Sequence, residues 1–295
     1  MSYRIRAEED PPQAIRRMVR EQIERALEAA AALGSPGAGE AAHSIRKRIK
    51  KIRAVLRLVR KLMDASICRE ENRRLRAAAH GFSGMRDANV QMEVVEKLRQ
   101  SSGLAPEAFA ETMAALRRKA EAAGEQREQL REAIAALAAL GDRLEGWPLQ
   151  EVTIEALSRA LQRTYRKARK CLHHVLDHRT AENFHSWRKQ TKDVWYQARI
   201  LQELNPPVIC EIVAAADTLG EHLGDLHDLA FLREQLAAGA PFPAAESEVL
   251  LGLIGREEKA LEQIALDLGG RFFAEKAGAF GRRLRRYASE RPRPA

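Results

Sequence analysis

Apolar residues recur three and four positions apart through most of the chain, the spacing that lays one apolar stripe along a helix. Ile15, Val19 and Ile23 form one such ladder, and Ile49, Ile52, Leu56 and Met63 form another. No stretch of useful length alternates apolar and polar residues as a half-buried strand would. The pattern predicts an all-α chain. A first helix starts at Asp10-Pro11-Pro12, where Asp10 serves as N-cap and the first turn tolerates proline, and stops at GSPGAGE, Gly34 to Glu40. A basic helix follows over about 41–68. Helical segments then end near His80–Gly84 and Ser101–Gly103, and a long helix covers about 106–140. Later helices are predicted over roughly 153–177, 181–204, 208 to the mid-220s, the late 220s to 238, 244–268 and 271–288.

These elements repeat. His43, Ser44, Arg46, Lys47 and Lys50 recur as His185, Ser186, Arg188, Lys189 and Lys192 at a spacing of 142 residues. The same spacing sets Ile15, Val19 and Ile23 against Leu157, Leu161 and Tyr165, so two consecutive helices and their loop recur together. One residue shorter, MRDANV (Met85 to Val90) faces LHDLAF (Leu226 to Phe231). The boundary falls in Leu140 to Thr153, where Gly141, Gly146 and Pro148 interrupt the helical pattern. Two half-repeats are expected, 1–145 and 146–295, within a single domain.

Composition agrees with helices: 45% apolar, 31% charged and only 5% aromatic residues. Cys68, Cys171 and Cys210 are odd in number and widely spaced, which argues against a disulfide framework or a zinc site. The net charge of +9 indicates attraction to polyanions: nucleic acid, polyphosphate or an anionic membrane. No apolar run approaches the roughly 20 residues of a bilayer span, and the first residues lack the apolar core of a signal peptide. A cytoplasmic location is expected.

The positive charge is organised. At 100° per residue, with His43 at zero, Lys47, Lys50, Arg46, Arg57 and Lys61 all fall within about 60° of it, while Ile49, Ile52, Leu56 and Met63 lie between about 180° and 240°. His185, Lys189, Lys192, Arg188 and Arg199 form the same stripe, with Trp187, Val194 and Ala198 opposite. Solvated faces normally mix signs, yet no acid occurs from His43 to Lys61. An anionic ligand would compensate. Extending the stripe to the preceding helix adds Arg163, Arg166 and Lys170, where the first half has Glu21 and Glu24 opposite the two arginines. His43 and His185 stand in the first or second turn of their helices, where unpaired N–H groups and the helix dipole favour anions. Either could donate to a phosphate oxygen, or could simply locate the helix start through a hydrogen bond.

With HSIRKRIKKIRAVLRLVR and MRDANV in one half, and HSWRKQTKDVWYQARIL and LHDLAF in the other, the sequence resembles the CHAD family, the conserved-histidine α-helical domain. The resemblance covers essentially the whole chain. It implies two pseudo-symmetric four-helix bundles around a basic central pore that binds inorganic polyphosphate. It carries over directly to His43, Arg46, Lys47, Lys50, His185, Arg188, Lys189 and Lys192; Arg57, Arg163, Arg166, Lys170 and Arg199 extend the set by stripe geometry. The E-x-E-x-K signature of a fused CYTH triphosphatase is absent, so a stand-alone protein is expected.

The expectation is a non-catalytic polyphosphate receptor that targets to, or organises, polyphosphate granules and needs no cofactor. Helix-borne cations about 5–6 Å apart can engage successive units of a linear polymer with about one charge per phosphate. Nucleic acid is the alternative, but Trp147, Trp187 and Trp195 do not interleave with the basic residues as a single-strand platform requires. His227-Asp228 imitates the dyad of a metal phosphohydrolase without further ligands at diagnostic spacing. A structural role, an acid clamping the neighbouring basic helix, suits Asp87 and Asp228 better. The basic terminus Gly281 to Ala295 is a candidate auxiliary contact.

Overall fold

The computed structural model describes residues 3–33, 38–124, 127–239 and 241–290, and among these no strand occurs. The chain is all-α. The first half carries α1 (Pro11–Ala30), α2 (Ala38–Val59), α3 (Ala65–His80), α4 (Ser83–Ser101), α5 (Ala110–Gly124) and α6 (Arg127–Leu144). The second carries α7 (Ile154–Asp177), α8 (Ala181–Ile200), a 3-10 turn (Gln202–Leu204), α9 (Pro206–Ala237), α10 (Ala244–Phe272) and α11 (Ala277–Glu290).

Side-chain caps decide where several of these helices begin. The Asp10 carboxylate accepts from the Gln13 amide at 3.2 Å, as its place before two prolines predicts. Thr153, Thr180 and Asn205 cap α7, α8 and α9 in the same way. Each such cap contributes about 1 kcal/mol. Asp64 caps α3 by accepting from the Ser66 amide at 2.7 Å and the Ile67 amide at 3.2 Å. That cap corrects the expected single basic helix over 41–68: α2 stops at Val59 and a new helix starts at Ala65. The expected helix over 106–140 is described as α5 and α6, with positions 125 and 126 outside the described residues. Conversely, the two helices expected between 208 and 238 are one continuous α9 of 32 residues. Gly220 and Gly224 do not interrupt it, because neighbouring side chains pack against the helix there and compensate for their weak propensity.

Helix pairings in one half have counterparts in the other. α1 packs on α2 as α7 packs on α8, α4 on α5 as α9 on α10, and α6 on α1 as α11 on α7. Across the halves, α2 meets α8 and α4 meets α9. The apolar stripes drive this packing: Ile49, Ile52 and Leu56 on α2, and Trp187, Val194 and Ala198 on α8, are fully buried. Each large apolar side chain so buried contributes roughly 1.5–3 kcal/mol. Tyr165 of α7 stacks on Phe280 of α11 at a ring separation of 4.1 Å and donates to the Phe272 and Glu275 carbonyls.

A strap at the N-terminus crosses between the halves. The Ile5 amide donates to the Ile200 carbonyl at 2.9 Å, the Tyr3 hydroxyl donates to the Lys51 carbonyl at 2.8 Å, and Arg4 pairs with Glu203. Tyr3 thereby lies edge-on to Tyr196, with the ring centres 6.2 Å apart.

Candidate anion-binding cavity

With their apolar faces inward, α2 and α8 turn their basic stripes toward each other across a cavity of about 930 Å³. α2 contributes His43, Arg46, Lys47, Lys50, Arg53 and Arg57; α8 contributes Arg188, Lys189, Gln190, Lys192, Asp193, Trp195, Tyr196 and Arg199. Arg76 of α3 and Asp217 and Glu221 of α9 complete the described wall. Ten lysine and arginine side chains thus face three carboxylates, and the potential inside favours anions.

Several of the cations are held in place by the fold. Arg46 donates to the Ala79 carbonyl at 2.8 Å, near the C-terminus of α3. Arg53 donates to the Asn72 side chain at 3.1 Å; burial, reinforced by Arg57 and Arg76, pushes its pKa down to about 10. Arg57 binds the buried Asp193 carboxylate at 2.5 Å and so joins α2 to α8. Burial raises the Asp193 pKa while Arg57 opposes that rise. Lys192 lies along α9, where a side chain at Gly220 would come within 2.8 Å of it, and its ammonium is 3.5 Å from Asp217. Its pKa is lowered chiefly by burial, with Asp217 opposing. Lys192 and Arg199 both stand over the Trp195 ring, at 4.8 and 4.9 Å from its centre.

Nine of the thirteen residues singled out from the sequence line this cavity: His43, Arg46, Lys47, Lys50, Arg57, Arg188, Lys189, Lys192 and Arg199. Four do not. His185 is half-buried with its Nδ1 3.2 Å from Nδ1 of His227 on α9, a geometry that needs one ring to donate and the other to accept. Burial, then Lys189 and Arg188, lowers its pKa. Arg163, Arg166 and Lys170 belong to α7, which packs against α8 without contributing to the described wall. Arg163 lies instead among Arg60, Arg159 and Arg166. Angles measured about each helix's own axis align residues within that helix but cannot tell which side of a neighbour they face. The contrast of Glu21 and Glu24 with α7 resolves the same way: Glu21 is buried and paired with Arg17 at 3.0 Å, Glu24 is exposed, and α1 supplies nothing to the described wall.

Sequence reasoning missed Arg53, Arg76, the Trp195–Tyr196 pair and the acids. Arg53 was legible, since it falls about 80° from His43 on the same stripe. Arg76 comes from another helix and carries no such signal. Asp87 and Asp228 are half-buried on α4 and α9, and the side chain of Arg86 lies outside the described residues. Residues 291–295 of the basic terminus also lie outside them. Among the described residues no three His, Cys, Asp or Glu side chains converge as a metal site would, and no helix is long and apolar enough to cross a membrane.

An all-helical fold with two equivalent helices presenting histidine-led basic stripes to one cavity defines a class, and the family model of the CHAD domain matches residues 10–237. The chain belongs to the CHAD family. The crystal structure of the CHAD domain from the plant Ricinus communis is similar over 94% of this chain and 96% of that one, with a TM-score of 0.76 at 18% identity. PptA from Streptomyces chartreusis is similar over 90% of this chain and 99% of that one, with a TM-score of 0.62 at 17% identity. Both likenesses establish the fold. No curated protein matches the chain by sequence.

Proposed function

We propose that the cavity binds inorganic polyphosphate without chemical turnover, and that the protein thereby attaches to or organises polyphosphate granules in the cytoplasm. The observation that carries this reading is the convergence of the α2 and α8 stripes, ten lysine and arginine side chains in all with Arg76, on one cavity. A flexible chain of phosphoryl groups has a negative charge at every unit and can match cations on two facing helices at once. Nucleic acid fits the same charge less well. Single strands need free aromatic faces for their bases, and Trp195 is attended by Lys192 and Arg199.

Calorimetric titration with long-chain polyphosphate and with single-stranded RNA at equal phosphate concentration, at about 50 and 200 mM salt, tests the reading. Polyphosphate binding that survives the higher salt while RNA binding is lost is the expected result. Equal binding of both, erased by salt, would reduce the cavity to a general polyanion surface. Reversing the charge of Arg188, Lys189 and Lys192 together should weaken polyphosphate binding more than about 10-fold with an unchanged helical circular-dichroism signal, since each charge-assisted contact contributes on the order of 1 kcal/mol or more. Full affinity in that folded variant would remove α8 from the mechanism.

A further inference from the structure

The repeat that places Arg57 opposite α8 also places its equivalent, Arg199, opposite α2, 142 residues later. The two sides differ at one buried position. Asp193, 7% exposed, binds Arg57; its equivalent on α2 is Lys51, 6% exposed, on the Arg199 side. An acid that neutralises one arginine is thus replaced by a second cation beside the other. Lys51 and Arg199 both stand over the ring of Tyr3, at 5.2 and 5.9 Å from its centre. No carboxylate among the described residues pairs with either. The groups facing Lys51 from the surrounding elements are Lys47 and Arg48 on α2, Arg25 on α1, Arg199 on α8 and the Tyr3 ring of the strap. Arg48 is itself poorly satisfied: one nitrogen reaches Gln22 at 3.4 Å and its buried Nε has no partner. Buried charges are normally paired, and a buried cation surrounded by cations either loses its proton or is stabilised by an anion brought alongside.

We propose that the Arg199 side of the cavity is the anchoring subsite, where one phosphoryl group of the polyanion takes the place that the Asp193 carboxylate fills on the Arg57 side. Arg199 and Lys47, both on the cavity wall, hold this group directly, and the buried Lys51 adds its charge from over the Tyr3 ring that Arg199 shares. Lys51 acts as a positioning charge. In the free protein, burial and then its cationic neighbours lower its pKa to about 8. An anion alongside favours the protonated form. Binding on the alkaline side of pH 8 therefore draws a proton onto Lys51, and binding near pH 7 finds it already charged.

The inference rests on the polyphosphate reading of the cavity, and the experiment separates the two. The full chain is titrated with long-chain polyphosphate, whose internal phosphoryl groups carry no proton at the working pH, at pH 8.5 in two buffers of different ionisation enthalpy. The expected result is uptake of about half a proton or more on saturation, abolished in Lys51→Met, with the variant binding about 5- to 10-fold more weakly at pH 7. Lys51→Asp, which gives Arg199 the carboxylate that Arg57 already has, should fold and bind weaker still. Tight binding by the wild type without proton uptake, or equal uptake in a folded Lys51→Met, would overturn the anchoring subsite while leaving the polyphosphate reading intact. Absence of binding by the wild type would overturn the polyphosphate reading itself. The wild-type proton count needs no variant to fold.

Discussion

Arg57 and Arg199 occupy equivalent places on α2 and α8, yet Arg57 is bound to a buried carboxylate at 2.5 Å, whereas Arg199 lies over the rings of Trp195 and Tyr3 with Lys51 nearby. The duplicated helices supply the same frame on both sides. One buried position, Asp193 or Lys51, decides whether a side satisfies itself or waits for a ligand. The ion-paired side ties α2 to α8. The other retains its charge for the ligand, at a cost to the stability of the free protein. A fully symmetric cavity with two Asp193-like acids would be more stable and bind anions less well; one with two Lys51-like cations would have no ion pair across the halves.

The largest effect expected from breaking this comparison is on stability. Asp193→Asn leaves Arg57, whose side chain is 30% exposed to the cavity, without its carboxylate, and losing a hydrogen bond to a charged group costs about 1.5–3 kcal/mol. Urea denaturation should show a lower midpoint with an unchanged slope, while polyphosphate affinity holds or rises because Arg57 becomes available. A variant as stable as the parent would mean that the ion pair does not hold the halves together. Next in size is the difference between the two arginines in binding: Arg199→Gln should weaken polyphosphate binding about 10-fold, or about 1.4 kcal/mol, and Arg57→Gln by less than about 2-fold. Equal losses would mean that Asp193 does not occupy Arg57 when ligand is bound.

Smaller again is the gain from Lys51→Met in the free protein, about 1 kcal/mol at pH 7. In the parent, Lys51 has a pKa of about 8 when folded, against an ordinary value of 10.5. Below pH 8 it is charged in both states and its burial penalty is fully present; between pH 8 and 10.5 the folded state sheds the proton and the penalty fades. The stabilisation should therefore shrink as thermal unfolding is repeated from pH 7 to pH 10. A constant gain would assign it to packing. The smallest effect concerns His185, whose pKa is lowered by burial and by Lys189 and Arg188. That direction disfavours its charged form, so His185→Gln should change polyphosphate affinity by less than about 2-fold between pH 7.5 and 6.5. A larger change in a titration series would restore His185 to the binding wall.

Much of this protein was legible in its sequence. The 3.6-residue period of Ile49, Ile52 and Leu56, and of Trp187, Val194 and Ala198, determined which faces of α2 and α8 turn inward, because burial of apolar area is the dominant local preference. The basic stripes then had to face outward from that core, and nine of the thirteen candidate residues reached one cavity. Asp64 is a residue type that caps helices, a signal the expected single helix over 41–68 did not use. What the tertiary structure decided was relative placement between helices. Arg163, Arg166 and Lys170 fit the stripe by angle, but the side of α8 on which α7 packs depends on the whole core. His185 is drawn to His227 by the approach of α8 to α9. The difference in meaning between Asp193 and Lys51 arises only once α2 and α8 face each other: a charge acquires its energy from what surrounds it in a desolvated site, and those neighbours come from distant stretches of the chain.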